Sequence, residues 1–200
     1  MSIAAIVLAA GRSARFADGA KLTAEIDGIP LIRRVLEAVA AAPIDDIVLV
    51  IAPDGEDVRA AAGEGRWRAL VNANAALGLS SSIKVGLAAL PDRTEGALIV
   101  LGDMPFVSSA TLARLRAAFE AHKRAGIVVP RTPDGRQGNP VLWPRALFAE
   151  LMALSGDAGG KPLLTRHARS CHDVPISAAE CLTDIDTRED LARVRGTGAA

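Results

Sequence analysis

"IAAIVLAAG", residues 3–11, is the stretch from which the fold can be predicted. Its first seven residues form an unbroken apolar run without alternation, which is typical of a strand buried on both faces of a parallel sheet. Runs of the same kind occupy 45–52 and 96–102, and shorter candidates lie at 126–130 and 67–72. The sequence therefore predicts several buried strands at intervals along the chain.

Helical patterns lie between these strands. Apolar residues at helical spacing follow Pro30, a residue that favours the first turn of a helix. Further helices are predicted over 81–90, 108–123 and 143–154, and a last one over 188–195. The alternation of strands and helices predicts an α/β domain with a mostly parallel sheet.

Composition limits the classes of protein. The chain has 200 residues, 50% of them hydrophobic, and a formal net charge of zero, which suits one globular domain and argues against general nucleic-acid binding. No segment approaches the roughly 18 apolar residues of a membrane span, and no Lys or Arg precedes the first run as in a signal peptide. Cys171 and Cys181 match no zinc pattern, even with the histidines near Cys171. We expect a cytoplasmic protein that contacts neither nucleic acid nor membrane, with one domain over 1–195 and a frayed tail over 196–200.

The loop after the first strand is cationic. Gly11 lets backbone amides approach a phosphate closely, and Arg12, Arg15 and Lys21 are placed to neutralise a polyphosphate. Four lysines occur among 23 basic residues, and a lysine beside glycine offers a compact charge where arginine presents a planar fork. The loop is neither a P-loop nor a dinucleotide-binding glycine motif. An ordinary surface loop with solvated arginines explains the same composition equally well.

Polar residues also follow other predicted strands, at the edge where open α/β sheets bind ligands. Asp103 closely follows a buried strand and could hold Mg²⁺, and Asp184 or Asp186 in "TDIDTRED" could be a second ligand. A turn explains Asp103 as well, and capping of the last helix by Thr187 or Asp186 explains the second motif. Asn139 in "RQGNPV" either hydrogen-bonds a substrate or forms a turn.

Six segments, taken in order, resemble one known family. "LAAGRSARF" followed by "KL" is similar to the L-A-A-G-x-S-x-R-M-G-x-x-K-L start of the nucleotidyltransferases related to MobA. "GLSSSIKVGL", "LGDMPFV", "GNPVL", "GDAGGKPLL" and "DIDTREDL" resemble the MocA-like molybdenum cofactor cytidylyltransferases within that family. The chain departs from the pattern at Phe16, where Met is usual, by one extra residue between Arg15 and Lys21, and at Lys161, where Arg is common.

The resemblance implies a Rossmann-like, three-layer α/β fold of the nucleotidyltransferase type, and it gives the matching residues expected roles. Arg15 and Lys21 would hold the triphosphate and, together with Asp103, form the catalytic set. The other residues expected to bind the nucleotide are Leu8, Ala9, Ala10, Gly11, Arg12 and Ser80.

The same resemblance implies a Mg²⁺ cofactor and a site for a second substrate. Asp103 and Asp186 would bind the metal ion. The residues expected to bind the acceptor are Ser81, Ser82, Asn139 and Lys161.

The implied reaction is the transfer of CMP from CTP to the phosphate of molybdopterin, with release of pyrophosphate. Ala9 and Ala10 stand where guanylyltransferase relatives tend to have Gly, which favours CTP. Two alternatives stay open: the same chemistry with GTP or another phosphorylated acceptor, and a module that delivers a finished cofactor through transient contact with a molybdenum hydroxylase. A Rossmann-type oxidoreductase is disfavoured by the missing glycine motif.

Overall fold

The computed structural model describes residues 2–11, 16, 21–157 and 159–196, so 197–200 of the expected tail lie outside the described residues. The strands are β1 (Ser2–Ala9), β2 (Glu25–Ile26), β3 (Ile29–Pro30), β4 (Asp46–Ile51), β5 (Arg68–Val71), β6 (Thr94–Leu101), β7 (Ile127–Arg131), β8 (Val141–Pro144) and β9 (Cys171–Pro175). The α-helices are α1 (Leu31–Ala41), α2 (Glu56–Ala62), α3 (Leu79–Ala88), α4 (Ser109–Ala121), α5 (Phe148–Ala153), α6 (Lys161–Arg166), α7 (Ala178–Leu182) and α8 (Arg188–Gly196).

Seven strands form the main sheet, in the order β5-β4-β1-β6-β8-β7-β9. Each runs parallel to β1 except β8, which pairs antiparallel with both β6 and β7. β2 and β3 form a separate two-stranded sheet. The prediction of a mostly parallel sheet is confirmed.

β1 lies inside this sheet, and its position explains the unbroken apolar run. Ala5, Val7 and Ala9 belong to one apolar cluster, Ile6 and Leu8 belong to another, and all five are at most 6% exposed. Successive side chains of a strand point to opposite faces, so both faces of β1 need apolar residues. Residues of α1 and α4 complete the first cluster, and residues of α3, α5 and α6 complete the second, which gives the predicted three layers.

Most predicted elements agree with the structure, but the helix predicted over 143–154 is wrong at its start. Trp143 and Pro144 end β8, and α5 begins at Phe148. Trp143 pairs with Ala97 of β6 and is 1% exposed, so sheet pairing and burial override the helical spacing. The sequence did not predict β9 either, because "CHDVP" has no apolar run to mark it.

The carboxyl end of β6 is joined to the C-terminal part of the chain. The amide of Ile185 donates a hydrogen bond to the carbonyl of Asp103 at 3.0 Å. Ile185 is fully buried and belongs to a third apolar cluster with Phe16, Leu31 and Leu191. The segment between α7 and α8 is therefore held against the edge of the sheet where ligands bind in such folds.

A carboxylate on α7 also anchors this C-terminal segment. Glu180 accepts hydrogen bonds from Ser108 Oγ at 2.6 Å and Thr111 Oγ1 at 2.7 Å, at the start of α4, and from Ser177 Oγ at 2.9 Å. Burial raises the pKa of Glu180, but these hydrogen bonds outweigh burial and hold the pKa below its ordinary value. Because α4 follows the loop that carries Asp103, Glu180 ties that loop to the C-terminal segment.

Glu180→Gln should lower the free energy of unfolding at pH 7 by about 1–2 kcal/mol, because it replaces charge-assisted hydrogen bonds by neutral ones. A carboxylate with a lowered pKa stabilises the fold above its ordinary pKa and loses that contribution as the pH falls through the lowered value. Urea unfolding of the wild type and the variant should therefore show a difference that shrinks between pH 7 and pH 3.5.

Glu189→Gln is the matched control, because Glu189 is exposed on α8 and the chemical change is the same. It should change the free energy of unfolding by less than about 0.5 kcal/mol. Equal losses in the two variants, or a loss for Glu180→Gln that does not depend on pH, would contradict the role given to this carboxylate.

Candidate active site

A cavity of about 400 Å³ lies at the carboxyl ends of β1 and β6. Leu8, Ala9 and Ala10 form one wall and are at most 6% exposed, and Gly11 is exposed beside them. A Cβ added to Gly11 would meet none of the described atoms within 4 Å, so this position is open to a ligand. The other described lining residues are Lys21, Leu22, Ala75, Ala76, Gly78, Leu79, Ser82, Leu101, Asp103 and Asp157.

Lys21 joins two carboxylates that are far away in the sequence. Its Nζ donates to Asp103 Oδ2 and to Asp186 Oδ1, each at 2.6 Å, across 82 and 165 residues of chain. Lys21 begins the short 3-10 helix Lys21–Thr23, Asp103 follows β6, and Asp186 precedes α8. The structure thus brings the two expected metal ligands together around the expected phosphate-binding lysine.

Lys21 is the most buried charged group of this cluster. Lys21 is 7% exposed. Burial lowers the pKa of Lys21, but the charges and hydrogen bonds of Asp103 and Asp186 outweigh burial, so the pKa lies above its ordinary value. The ammonium therefore stays protonated at neutral pH.

The two other polar residues of "DIDT", Asp184 and Thr187, have different neighbours. Thr187 Oγ1 accepts from the amide of Asp190 at 3.1 Å, and Asp190 Oδ2 accepts from the amide of Thr187 at 3.0 Å, so Thr187 caps α8. Asp184 lines a second cavity. Desolvation and the negative charges of Asp186 and Asp103 raise the pKa of Asp184.

The second cavity, of about 580 Å³, adjoins the first and shares Leu79, Leu101 and Asp157 with it. Asp157 Oδ1 accepts from the amide of Leu79 at 3.2 Å, which fixes this common wall. Asn139 and Lys161, both expected at the acceptor site, line the second cavity. Its other described lining residues are Ile83, Ile99, Gln137, Gly138, Val141, Trp143, Gly159, Gly160, Leu164, Thr165 and Asp184.

Some lining residues were missed by the sequence reasoning. Asp157 and Gln137 each stand beside a glycine, in or next to the motifs "GDAGGKPLL" and "GNPVL". Their polar side chains in these glycine-containing loops could have marked them as lining residues. Trp143 gave no such signal, because it falls in the wrongly predicted helix. Its indole nitrogen is buried and has no hydrogen-bond partner in the part of the chain that the structure describes. A Cβ at Gly160 would lie 2.4 Å from the Trp143 ring, so only glycine allows this close approach.

The three serines of "GLSSS" are not part of the second cavity's described lining. Asn72 Nδ2 donates to Ser81 Oγ at 2.8 Å and to Ser82 Oγ at 3.0 Å, and Ser81 Oγ donates to the carbonyl of Gly78. Ser82 lines the first cavity, whereas Ser80 and Ser81 line a separate cavity of about 310 Å³. Asn72 directly follows β5, so its position after a strand was a signal that the sequence reasoning did not use.

Arg12 and Arg15 lie outside the described residues, and their expected contact with a triphosphate stays a prediction. Phe16, between them and Lys21, is described and is 5% exposed. It packs in the cluster that contains Ile185, and the guanidinium carbon of Arg188 lies 5.7 Å from its ring centroid. Phe16 therefore anchors the chain next to the segment that carries Asp186.

The donor set fits a hard divalent cation. Carboxylate oxygens are the protein ligands that Mg²⁺ and Mn²⁺ prefer, and one cation, the Lys21 ammonium, already contacts both carboxylates. Asp103 Oδ1 is buried and accepts no hydrogen bond from any described residue, so it is an acceptor left for a cation.

The histidines and cysteines do not form a comparable site. His167 Nε2 lies 3.0 Å from Glu150 Oε1, and the ring of His172 stacks on His122 at 3.6 Å between centroids. Within 2–11, 16, 21–157 and 159–196, no group of three or more His, Cys, Asp or Glu residues is arranged to hold a metal ion. Both cysteines are free.

None of the helices in the described ranges combines the length and the apolar character that crossing a membrane requires.

Solved structures share this architecture. Rv0371c from Mycobacterium tuberculosis H37Rv is 29% identical, covers 98% of each chain and has a TM-score of 0.83. A second structure, of Rv0371C in complex with manganese, is 27% identical over the same share of both chains, with a TM-score of 0.80.

Curated sequences and a family model also resemble this chain. The bifunctional protein GlmU of Sinorhizobium fredii is 34% identical over 114 residues, which are 56% of this chain and 25% of that protein. The chain spans about a quarter of the length of the curated relatives it matches. The model of the MobA-like NTP transferase domain matches residues 5–171, a range that contains Lys21 and Asp103. This chain belongs to the MobA-like NTP transferase domain family, and its domain is that of a nucleotidyltransferase enzyme.

Proposed function

We propose that this chain transfers CMP from CTP to the phosphate group of molybdopterin, with Mg²⁺ as the cofactor and pyrophosphate as the second product. The observation that carries the proposal is the pair of adjoining cavities, with Lys21 and Asp103 in the lining of the first and Asp186 bonded to Lys21. Transfer between two substrates needs them side by side, with positive charge at the triphosphate. The family supports the class of reaction, and the resemblance to the cytidylyltransferase branch supports the two substrates.

In this proposal the nucleotide lies in the first cavity. The stretch from Leu8 to Gly11 contacts the base and the ribose, and Lys21, with Arg12 and Arg15 before it, neutralises the triphosphate. The buried methyl groups of Ala9 and Ala10 leave less room than glycines would. Because a pyrimidine needs less room than a purine, they favour CTP over GTP.

The acceptor lies in the second cavity. Its lining combines apolar side chains, among them Leu79, Leu101 and Leu164, that can cover a face of a heterocycle, with Lys161, which supplies a positive charge for the acceptor phosphate. Asn139 and Gln137 offer amide groups to the heterocycle edge. Ser81 and Ser82 lie outside the described lining of this cavity and hydrogen-bond to Asn72, so a contact between them and the acceptor stays a prediction.

The reaction is a displacement at the α-phosphorus of CTP. An oxygen of the acceptor phosphate forms the new bond, the bond from the α-phosphorus to the pyrophosphate oxygen breaks, and its electron pair leaves with pyrophosphate. A phosphate monoester is largely ionised at neutral pH, so no residue has to remove a proton. The chain contributes positioning across the wall of Leu101 and Asp157 and neutralisation by its cations.

Asp103 and Asp186 would hold the divalent metal. When bound, the ion supplies positive charge where negative charge develops on the α-phosphate. The buried, unpartnered Asp103 Oδ1 supports this assignment among the described residues, and so does the manganese complex of the similar Rv0371C.

The remaining elements of the proposal concern the whole protein. Residues 1–195 form the catalytic domain, and the two free cysteines suit the reducing cytoplasm in which we place the protein. A transient contact with a molybdenum hydroxylase, which would receive the product, is compatible with catalysis. Two alternatives remain: the same reaction with GTP or another phosphorylated acceptor, and a delivery module without catalysis. Pyrophosphate release and a pull-down of the hydroxylase distinguish them.

The purified chain should release pyrophosphate from CTP in the presence of Mg²⁺ and molybdopterin, and release from GTP, ATP and UTP should be at least about tenfold slower. Release from another nucleotide with the same acceptor would keep the reaction and overturn CTP. No release from any nucleotide, with a persistent pull-down of the hydroxylase, would favour the delivery module.

Asp103→Asn should lower kcat by at least about a hundredfold, because the variant removes a carboxylate from the charge-stabilising set. Its circular dichroism spectrum should match that of the wild type. Asp54→Asn is the matched control, since Asp54 is exposed in the loop after β4, and it should keep full activity. A fully active Asp103→Asn would exclude the proposed metal ligand.

Lys161→Ala should raise the KM for the acceptor about tenfold, the effect of losing one charge-assisted contact, and leave the KM for CTP within about twofold. Lys84→Ala, on α3 and outside both substrate cavities' described linings, should change neither constant. If Lys161→Ala raised the KM for CTP alone, the second cavity would have to hold the nucleotide and the first the acceptor.

A further inference from the structure

The Lys21 ammonium lies at the position that the proposed function gives to a metal ion. It is 2.6 Å from Asp103 Oδ2 and 2.6 Å from Asp186 Oδ1. In the proposed function, Lys21 also binds the triphosphate. One side chain is thus in contact with both proposed metal ligands.

We propose that Lys21 and the divalent metal are alternative counter-ions of the Asp103–Asp186 pair. In the nucleotide-free protein the ammonium holds the two carboxylates and keeps free metal from binding tightly. When the nucleotide binds, its triphosphate becomes the partner of Lys21, and the metal takes the carboxylates. Metal and nucleotide therefore bind together. This inference rests on the proposed function for the identity of the pair as metal ligands.

Electrostatics gives the first reason for the exclusion. Counted over the described residues of the ion-pair cluster, the two carboxylates carry a charge of −2 against the +1 of the buried lysine. A divalent ion between them would lie within contact distance of the ammonium and be repelled by it. The ammonium cannot be released without a new anionic partner, because an unpaired buried charge is strongly unfavourable. A triphosphate is such a partner.

Geometry gives the second reason. Both of the carboxylate oxygens that face the ammonium are at short hydrogen-bond distances, so it fills the space between them. The buried Asp103 Oδ1 has no hydrogen-bond partner among the described residues and is not used by the lysine. It offers the metal a contact once the ammonium has left. The rival reading is that the metal binds at Oδ1 while Lys21 stays on Oδ2, and it predicts no competition.

The test uses the full chain without nucleotide, with Mn²⁺ alone as the probe. Free Mn²⁺ is measured by electron paramagnetic resonance during titration of the wild type and of Lys21→Met, which keeps the length of the side chain and removes the charge. We expect Lys21→Met to bind Mn²⁺ at least about tenfold more tightly than the wild type. Equal or weaker binding by the variant would overturn the proposal in favour of the rival reading.

Two controls separate local competition from a general effect of charge. Lys84→Met removes a positive charge from α3 and should leave the Mn²⁺ affinity unchanged. Lys21→Arg keeps a cation at the pair and should bind Mn²⁺ as weakly as the wild type. Tighter binding by Lys84→Met to the same extent as Lys21→Met would contradict the proposal, since a distant charge would then suffice.

A further pair of variants covers the case in which Lys21→Met does not fold because two carboxylates are left facing each other. The double variant Lys21→Met/Asp186→Asn avoids that repulsion, and Asp186→Asn is its reference. The double variant should still bind Mn²⁺ more tightly than Asp186→Asn, and equal affinities would overturn the inference. None of these measurements requires turnover, so competition without catalysis would refute the proposed function alone, and catalysis without competition would refute this inference alone.

Discussion

A single buried ammonium between two carboxylates is the interaction on which the candidate active site depends. Lys21, Asp103 and Asp186 come from three segments that no local structure brings together. Two carboxylates at one place repel each other, and a cation between them turns this repulsion into a bridge. The bridge joins the end of the cationic loop and the end of β6 to the start of α8, so it connects the first strand's loop with the C-terminal part of the chain.

Contacts outside the ion pair position its three residues. The amide of Ile185 is bonded to the carbonyl of Asp103, and Ile185 is packed against Phe16 in an apolar cluster. Glu180 collects hydroxyl groups from the first turn of α4. These contacts bury apolar surface and satisfy polar groups without the ion pair, so the backbone already holds the two carboxylates near each other. A cation at the pair can then be exchanged without loss of the fold.

The shared wall places the two cavities side by side. Leu79, Leu101 and Asp157 belong to both linings, so a ligand in one cavity lies next to a ligand in the other. Effective concentration and orientation then favour a bimolecular step, which needs no strong base when the nucleophile is an ionised phosphate. The parallel sheet supports this arrangement, because the carboxyl ends of β1 and β6 lie at the same edge of the sheet.

The sequence was informative where a single segment carries the signal. The buried strands were predicted from unbroken apolar runs, and Lys21 and Asp103 from their places after strands and from a motif of the family. Prediction failed where partners decide. Trp143 is in a strand because β6 pairs with it and the core covers it, although its neighbours have helical spacing. The hydroxyls of Ser81 and Ser82 hydrogen-bond to Asn72, a partner that no local pattern predicted, and their expected contact with the acceptor stays a prediction.

By itself the sequence determined that the chain forms an α/β domain with a cationic loop after its first strand and carboxylates after later elements, because strand burial and loop composition are local properties. The tertiary structure alone decided that Asp186 and Asp103 meet at the Lys21 ammonium, and that Asp157 lies in the wall between two cavities. Hydrogen bonds and ion pairs across 82 and 165 residues depend on how the sheet is ordered and on which segments it brings to its carboxyl edge. No local pattern of residues encodes that order, since it follows from the packing of the whole chain.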